Sequence, residues 1–456
     1  IWGNLPNALY ERTLMKYYIK AFGWQMNESD SERIAAVLAK AGLKAALKIS
    51  EADFVVFNTC GVRQMAEDRV YGQVHNLKTH SAKRVTIILT GCLASRKDVQ
   101  RRLKNKVDLF CEIKNFQEKI KKLVIPSKVE GSNVEKLDSS TTLRFAQNDK
   151  DYLKIIPKYN NKFQAYVPIM TGCNNFCSYC VVPYARGREV SRPAEEIVKE
   201  VRKLVKNNCK EIILLGQNVN SYKDGRANFS KLLKKLNAIS GRFWISFISN
   251  HPKDVTDEMI ETVAKLPKIC ECFHLPVQSG NDAIIQKMNR RYTAKQYLSL
   301  VKKIKATYKK YKPNKLFSIT SDIIVGFPGE TKNQFLDSAE VMKKAKYDMV
   351  YFGQYSPRPG TAAWKLKGNV SKKEKSRREK YLNEILKKTS FTNNKKYVGN
   401  NFEILVEKEK NGLYFGKTRT MKNVRFSSNK NDSVGQFVNV KIIKANVWNL
   451  EGKIIK

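Results

Sequence analysis

Between Phe163 and Tyr355 the chain sets down six apolar runs: FQAYVPI, EIILLG, RFWISFIS, CFHLPV, FSITSDIIVGF and DMVYFGQY. Amphipathic helical stretches separate them, such as the one that starts after Pro193. Runs that are apolar on both faces need cover on both faces, which a parallel sheet flanked by helices supplies. Six strand–helix units predict an α/β fold built on an open, partial (βα)6 barrel, with function at the C-terminal rim of its strands.

Three shorter units precede it. YIKAFGW ends at Trp24, DFVVFNTC at Cys60 and RVTIILTGC at Cys92, and each leads into a helical stretch. Repeated strand, loop and helix predict a flavodoxin-like parallel-sheet domain. Ser29 and Glu32 have capping-box spacing, which puts a helix start beside Trp24. Parallel strands end on one side, so positions 24, 60 and 92 are expected on one rim. From Pro126 the polar stretch SKVEGSNVEKLDSSTTLRFAQNDK breaks the pattern and reads as a linker or inserted loop. A lysine-rich helix from Ser371 to about Lys388 closes the barrel region. FEILVEKE, the turn Asn411-Gly412 and LYFGKTR then announce a small antiparallel β-barrel. The expected divisions are 14–125, a linker over 126–158, the barrel over 159–390, and 391–456.

The net charge over 456 residues is +43, which suits a polyanionic partner, nucleic acid above all, or reflects a lysine-rich compositional habit. No apolar run reaches bilayer length, so no membrane association and a cytoplasmic location are expected. Nine cysteines in so long and basic a chain do not suggest a secreted disulfide scaffold, and the four histidines form no zinc pattern.

The chemistry is concentrated in TGCNNFCSYC, where Cys173, Cys177 and Cys180 follow the first barrel strand with the spacing CxxxCxxC. Three soft thiolates in one tight loop suit three corners of an iron–sulfur cube. A zinc site needs a fourth ligand, and neither histidine nor cysteine lies nearby in sequence. Three thiols leave one iron open to an exogenous ligand.

This loop, with Tyr179 before its last cysteine, resembles the radical S-adenosylmethionine enzymes. CSYCVVPYARGREVSRP, LLGQNVNSY, FHLPVQSGN, SDIIVGFPGET and YSPRPGTAA extend the likeness to the methylthiotransferases, within the branch that acts on prenylated adenosine of tRNA. The resemblance spans about residues 14 to 456, apart from the 126–150 stretch. It implies a [4Fe-4S] cluster on Cys173, Cys177 and Cys180 that binds S-adenosyl-L-methionine and cleaves it to a 5′-deoxyadenosyl radical. Tyr179 would then pack near adenine. The implied reaction places a methylthio group on C2 of the adenine in the anticodon loop. It also implies a second [4Fe-4S] cluster in the N-terminal domain, a C-terminal TRAM domain that grips tRNA, and an electron donor of flavodoxin or ferredoxin type. The sulfur donor is left unassigned. Two rival readings are the same chemistry on threonylcarbamoyladenosine, and an RNA-binding protein whose sulfur transfer has decayed.

The second cluster raises the question of Trp24. The resemblance assigns Cys60 and Cys92 as two of its ligands and places the third where this chain reads FGWQMN. Indole offers only an N–H donor. Three accounts stand open: a single-base error in the read sequence, Cys111 as substitute ligand, or loss of the cluster. The alternative for Cys111, as for Cys209, Cys270 and Cys272, is a small buried hydrophobe.

The resemblance also points to Gln217 and Asn218, after the second barrel strand, as acceptors for the cofactor's ammonium group; surface turn residues are the alternative. Ser279 and Asn281 after the fourth strand and Asp322 in the fifth are further pocket candidates. Arg186, Arg188 and Arg192 suit RNA phosphates or a carboxylate, or else a solvated basic face. In the tail, Lys417, Arg419, Lys422 and Arg425 surround Tyr414 and Phe415, a pattern that suits single-stranded RNA unless the rings are core.

Overall fold

A computed structural model describes residues 15–61, 64–80, 84–124, 152–427 and 433–455. The chain forms two compact units, 1–158 and 159–456. Most of the expected linker lies outside the described residues. Among the described residues no helix is long and apolar enough to cross a membrane.

In the first unit, strands β1 (Lys16–Phe22), β2 (Lys44–Ala45), β3 (Phe54–Thr59), β4 (Thr86–Gly91) and β5 (Leu109–Cys111) are parallel, in the order β2-β1-β3-β4-β5. This is the flavodoxin-like order, with its topological switch point between β1 and β3. Alternate residues of β3 and β4 feed separate cores, Val56 and Ile88 on one face and Val55, Phe57, Ile87 and Leu89 on the other. Helices α1 (Gln25–Lys40), α2 (Gln64–His80), α3 (Lys97–Leu103) and α4 (Phe116–Val124) accompany the strands. The register aligns Phe22 with Thr59 and Thr59 with Gly91, so Trp24, Cys60 and Cys92 leave one rim as the sequence predicts. Gly91 has φ +83, and a Cβ there would meet the Thr59 carbonyl at 2.3 Å. Only glycine lets the two strand ends come so close.

One local expectation fails. Helix α1 starts at Gln25, with Trp24 as N-cap, so Ser29 and Glu32 lie inside the helix and form no capping box. Both are buried. The Ser29 hydroxyl accepts from Arg33 at 2.8 Å, and neighbouring Asp30 accepts from the Tyr152 hydroxyl. The returning segment at 152–153 thus packs into the core beside α1 rather than serving as linker.

The second unit holds the six expected parallel strands: β6 (Gln164–Pro168), β7 (Glu211–Leu215), β8 (Trp244–Phe247), β9 (Cys272–His274), β10 (Ser318–Val325) and β11 (Met349–Gln354). They form two three-stranded sheets, joined by a parallel bridge between Ile245 and Ile269. The result is an open arc in chain order, a partial (βα)6 barrel. Its outer helices are α5 (Ala194–Lys206), α6 (Phe229–Asn237), α7 (Asp257–Lys265), α8 (Ala294–Tyr311), α9 (Lys332–Ala345) and α10 (Lys372–Lys395).

The tail closes into a barrel of β12 (Asn401–Lys410), β13 (Leu413–Thr418), β14 (Asn423–Ser427), β15 (Phe437–Ala445) and β16 (Leu450–Ile454), in the order β12-β13-β14-β16-β15. It packs against the N-terminal ends of the (βα)6 strands. Lys417 pairs with Glu211 at 2.7 Å, Arg419 with Glu271 at 2.8 Å and Lys422 with Asp348 at 2.9 Å. These three cations are therefore cement between the two barrels and not RNA ligands. Arg425 pairs with Glu451, and Tyr414 is buried against Phe426, which leaves half-buried Phe415 beneath exposed Lys408.

Candidate active site

Cys173, Cys177 and Cys180 sit in the loop that follows β6, at the C-terminal rim. No disulfide joins them. Gly172, at φ +76, turns the chain into the loop where a Cβ would lie 2.0 Å from the Arg188 carbonyl. The Cys173 amide then bonds the Gly187 carbonyl, and the Cys180 amide bonds that of Cys177. A second segment clamps the loop from outside. Ser178 donates its amide to Met288 O and its hydroxyl to Lys287 O, while Asn289 Nδ2 donates to Phe176 O at 2.9 Å. Burial pushes the Cys173 thiol upward, as expected of a group withheld from water.

Next to Cys177 stands Arg290. Its Nη1 lies 3.6 Å from Cys177 Sγ and 3.2 Å from the Tyr179 hydroxyl. Tyr179 also packs against a small core of Ile284, Met288, Phe327, Tyr355 and Ala363.

The rim beyond β7 and β8 collects acceptors with nothing to accept. Gln217 Oε1, Asn218 Oδ1 and Asn250 Oδ1 are buried and have no hydrogen-bond partner among the described residues. The Asn218 amide group is fixed by donating to Asp254 at 2.7 Å, and that of Asn250 by donating to His274 O at 2.8 Å. His251 Nε2 is likewise buried and unpartnered, while its Nδ1 accepts from the Lys253 amide. Burial, reinforced by the Arg290 and Lys253 charges, pushes the His251 imidazole down to about 2 and keeps it neutral. Asp322, on β10, stands 3.5 Å from His274 Nε2 with its side chain 36% exposed. Ser279 does not join this set: it is fully buried, and its hydroxyl accepts from the Asn281 amide to shape a turn. Asn281 itself caps the helix Asp282–Lys287.

Asn250, His251 and Arg290 were not singled out as site residues from sequence. The first two follow β8 directly, so the strand-end rule would have found them. Arg290 sits in KMNRRY, which carries no signal of its own.

The arginines after the loop divide. Arg192 is buried, pairs with Glu200 at 2.7 Å and donates to Pro168 O, which gives it a structural role in place of phosphate binding. Arg186 is buried, and Arg188 stacks on Phe176 with 4.4 Å between guanidinium and ring centre.

At the N-terminal rim, Cys60 and Cys92 are buried, and Trp24 is 42% exposed. Cys111 belongs elsewhere. It packs with Ile113, Phe116 and Ile120, its thiol donates to Glu112 O, and burial pushes it up to about 12. The Cys111 side chain thus belongs to the apolar core around α1 and α4.

The sequence matches the Radical SAM superfamily over residues 167–357, Uncharacterized protein family UPF0004 over 16–112 and the TRAM domain over 395–455. The chain is 42% identical to a tRNA-2-methylthio-N(6)-dimethylallyladenosine synthase of Clostridium botulinum (strain Langeland), covering 97% of this chain and 98% of that relative. It belongs to this synthase family. A synthase of Clostridium tetani is 39% identical with 99% of both chains covered, and one of Alkaliphilus oremlandii is 38% identical over 97% and 93%. Among solved structures, the radical S-adenosylmethionine methyltransferase TsrM from Kitasatospora setae, with cobalamin and a [4Fe-4S] cluster bound, shares the fold. Its TM-score is 0.52 and its identity 12%, with 77% of this chain and 74% of that one covered.

A family member needs places for iron–sulfur clusters and S-adenosylmethionine. Among the described residues, no three His, Cys, Asp or Glu side chains converge on a single metal ion. A cube has a different demand, because each thiolate binds a different iron. The loop of Cys173, Cys177 and Cys180 brings the three thiols that demand calls for, with buried Arg290 beside Cys177 and unsatisfied acceptors at the same rim. The N-terminal rim fits less well, because it offers two thiols and an indole.

Proposed function

We propose that this chain adds a methylthio group to C2 of a prenylated adenosine in the tRNA anticodon loop, in the cytoplasm. The observation that carries this reading is the three-thiol loop at the C-terminal end of β6, in a chain 42% identical over nearly its whole length to the synthase of Clostridium botulinum. When bound, the cluster and S-adenosylmethionine supply the one-electron chemistry that removes an adenine hydrogen.

The chain's own residues bind and orient. Cys173, Cys177 and Cys180 hold the cluster, and Tyr179 walls it on the adenine side. Gln217 Oε1 and Asn218 Oδ1 accept from the cofactor's ammonium group, which satisfies acceptors that otherwise stay costly in the folded chain. Neutral His251 adds an acceptor, and Asp322 lines the opening of the barrel. Cys60 and Cys92 serve the sulfur-bearing site. Lys408 over Phe415 on the C-terminal barrel offers tRNA a cation and a ring. The net charge of +43 suits both that polyanion and an acidic electron carrier of flavodoxin or ferredoxin type.

Trp24 favours a second reading, in which the chain makes radicals but transfers sulfur poorly. Both readings face one experiment. Undermodified tRNA carrying prenylated adenosine is incubated anaerobically with reconstituted protein, S-adenosylmethionine and dithionite, then digested and analysed by mass. A methylthio-adenosine product supports the main reading. 5′-Deoxyadenosine without that product supports the second, and neither product overturns both.

A further inference from the structure

Arg290 is 6% exposed, yet among the described residues no carboxylate pairs with it. Its remaining donors are spent on neutral oxygens: Nε on the Tyr292 hydroxyl at 2.5 Å and Nη2 on Pro276 O at 2.9 Å. A buried guanidinium without an anion is costly, and folded proteins pair such charges. Nη1, besides the Tyr179 hydroxyl, faces Cys177 Sγ at 3.6 Å, a thiol that becomes a thiolate on binding iron.

The placement is built in rather than incidental. Lys287, Met288 and Asn289, just before Arg290, are the residues whose hydrogen bonds clamp the loop at Ser178, Asn175 and Phe176. The guanidinium is therefore tied to the cysteine loop by backbone on one side and by Tyr292 and Pro276 on the other. Arginine stays charged at any working pH and cannot relieve the strain by losing a proton.

We propose that Arg290 is a positioning residue, the resident counter-cation of the iron–sulfur cluster held by Cys173, Cys177 and Cys180, and that it sets the ease with which that cluster is reduced. This rests on the reading of the loop given above. A cube on three thiolates is anionic, and gaining one electron from a low-potential carrier makes it more so. A fixed positive charge and an N–H donor beside one sulfur stabilise the reduced form more than the oxidised one. The electron moves from carrier to cluster and onward to the sulfonium, and Arg290 exchanges neither electron nor proton.

The test is a redox titration of the reconstituted full-length protein, followed by the electron paramagnetic resonance signal of the reduced cluster. Arg290→Gln keeps a donor and loses the charge, whereas Arg290→Lys keeps the charge. Reduction is expected to become about tenfold less favourable in R290Q, a fall of about 59 mV for a one-electron couple, and to stay near wild type in R290K. Equal potentials in all three proteins, or equal shifts in both variants, overturn the proposal. If R290Q assembles no cluster, R290K decides: assembly at the wild-type potential supports the counter-cation, and failure there too overturns it. A wild-type chain that takes up no cluster sinks the reading of the loop itself, which separates the two failures.

Discussion

Arg419 reaches from the loop after β13 to Glu271, just ahead of β9, with Nε 2.8 Å from the carboxylate and Lys312 Nζ 2.8 Å from its other oxygen. Burial alone would push the Glu271 carboxyl up, but the two cations outweigh it and hold the carboxyl below its ordinary range. The ion triad sits at the seam between the two barrels, beside Trp244, whose indole lies tilted against Phe437 with 4.8 Å between ring centres. Arg419→Met leaves buried Glu271 with Lys312 as its one cationic partner and is expected to cost about 3 kcal/mol. Denaturant unfolding checks this. The salt dependence of tRNA affinity should be unchanged, because a residue that touches no phosphate releases no counterion. Lys408→Ala is expected to do the reverse, with stability intact and a shallower salt slope.

The neutral state of His251 makes stability depend on pH. Its folded value lies near 2, against about 6.5 for an unperturbed imidazole. The unfolded chain therefore binds a proton that the folded chain refuses. The contribution is fully present above about pH 6.5 and is lost as pH falls below it, by up to about 1.4 kcal/mol per unit. Melting temperature measured from pH 7.5 down to 5 should fall more steeply for wild type than for His251→Gln. Parallel curves would exclude the buried neutral imidazole.

How far the sequence reached depended on the range of the interaction. The six barrel strands were legible because a strand covered on both faces must be apolar throughout, and that leaves a local trace. So was the rim of Trp24, Cys60 and Cys92, which follows from parallel strands alone. The start of α1 was misread because Ser29 and Glu32 satisfy a local rule while the fold buries both, Ser29 bonded to Arg33 and its neighbour Asp30 to Tyr152. Strand β14 was missed because NVRFS brings only two apolar residues to the core. Lys417, Arg419 and Lys422 looked like an RNA surface because the acidic partners they meet across the seam, Glu211, Glu271 and Asp348, lie more than 70 positions away. Charge pairing over such a distance leaves no pattern in a single sequence. Arg290 escaped notice because Cys177 and Tyr179, which it faces, lie 113 and 111 positions away.

The cysteine loop depends on a backbone that only glycine adopts easily. Gly172→Ala forces a Cβ to 2.0 Å from a carbonyl oxygen at φ +76, and neither the loop nor the Gly187–Arg188 segment can yield without moving Cys173. The variant is expected to fold, because the core of β6 and β7 lies below the rim. It should bind iron poorly, and its cluster charge-transfer absorption after reconstitution should drop to a small fraction of wild type. Full absorption would show that the loop does not need its turn.

Trp24 offers the sharpest test of the N-terminal site. Trp24 is the N-cap of α1, makes no side-chain capping bond and is 42% exposed, so Trp24→Cys removes little from the core. The substituted thiol would stand beside Cys60 and Cys92, at the switch point between β1 and β3 where open α/β sheets bind their ligands. With Cys111 locked in the apolar core, no other cysteine of this sheet is available to complete a set of three. Wild-type protein, reconstituted anaerobically and desalted, is expected to retain clearly fewer than eight irons per chain, and W24C to approach about eight, two cubes' worth. Equal iron in both would mean that two thiols and an indole suffice, and the rim would then hold its cluster by some ligand other than a third cysteine.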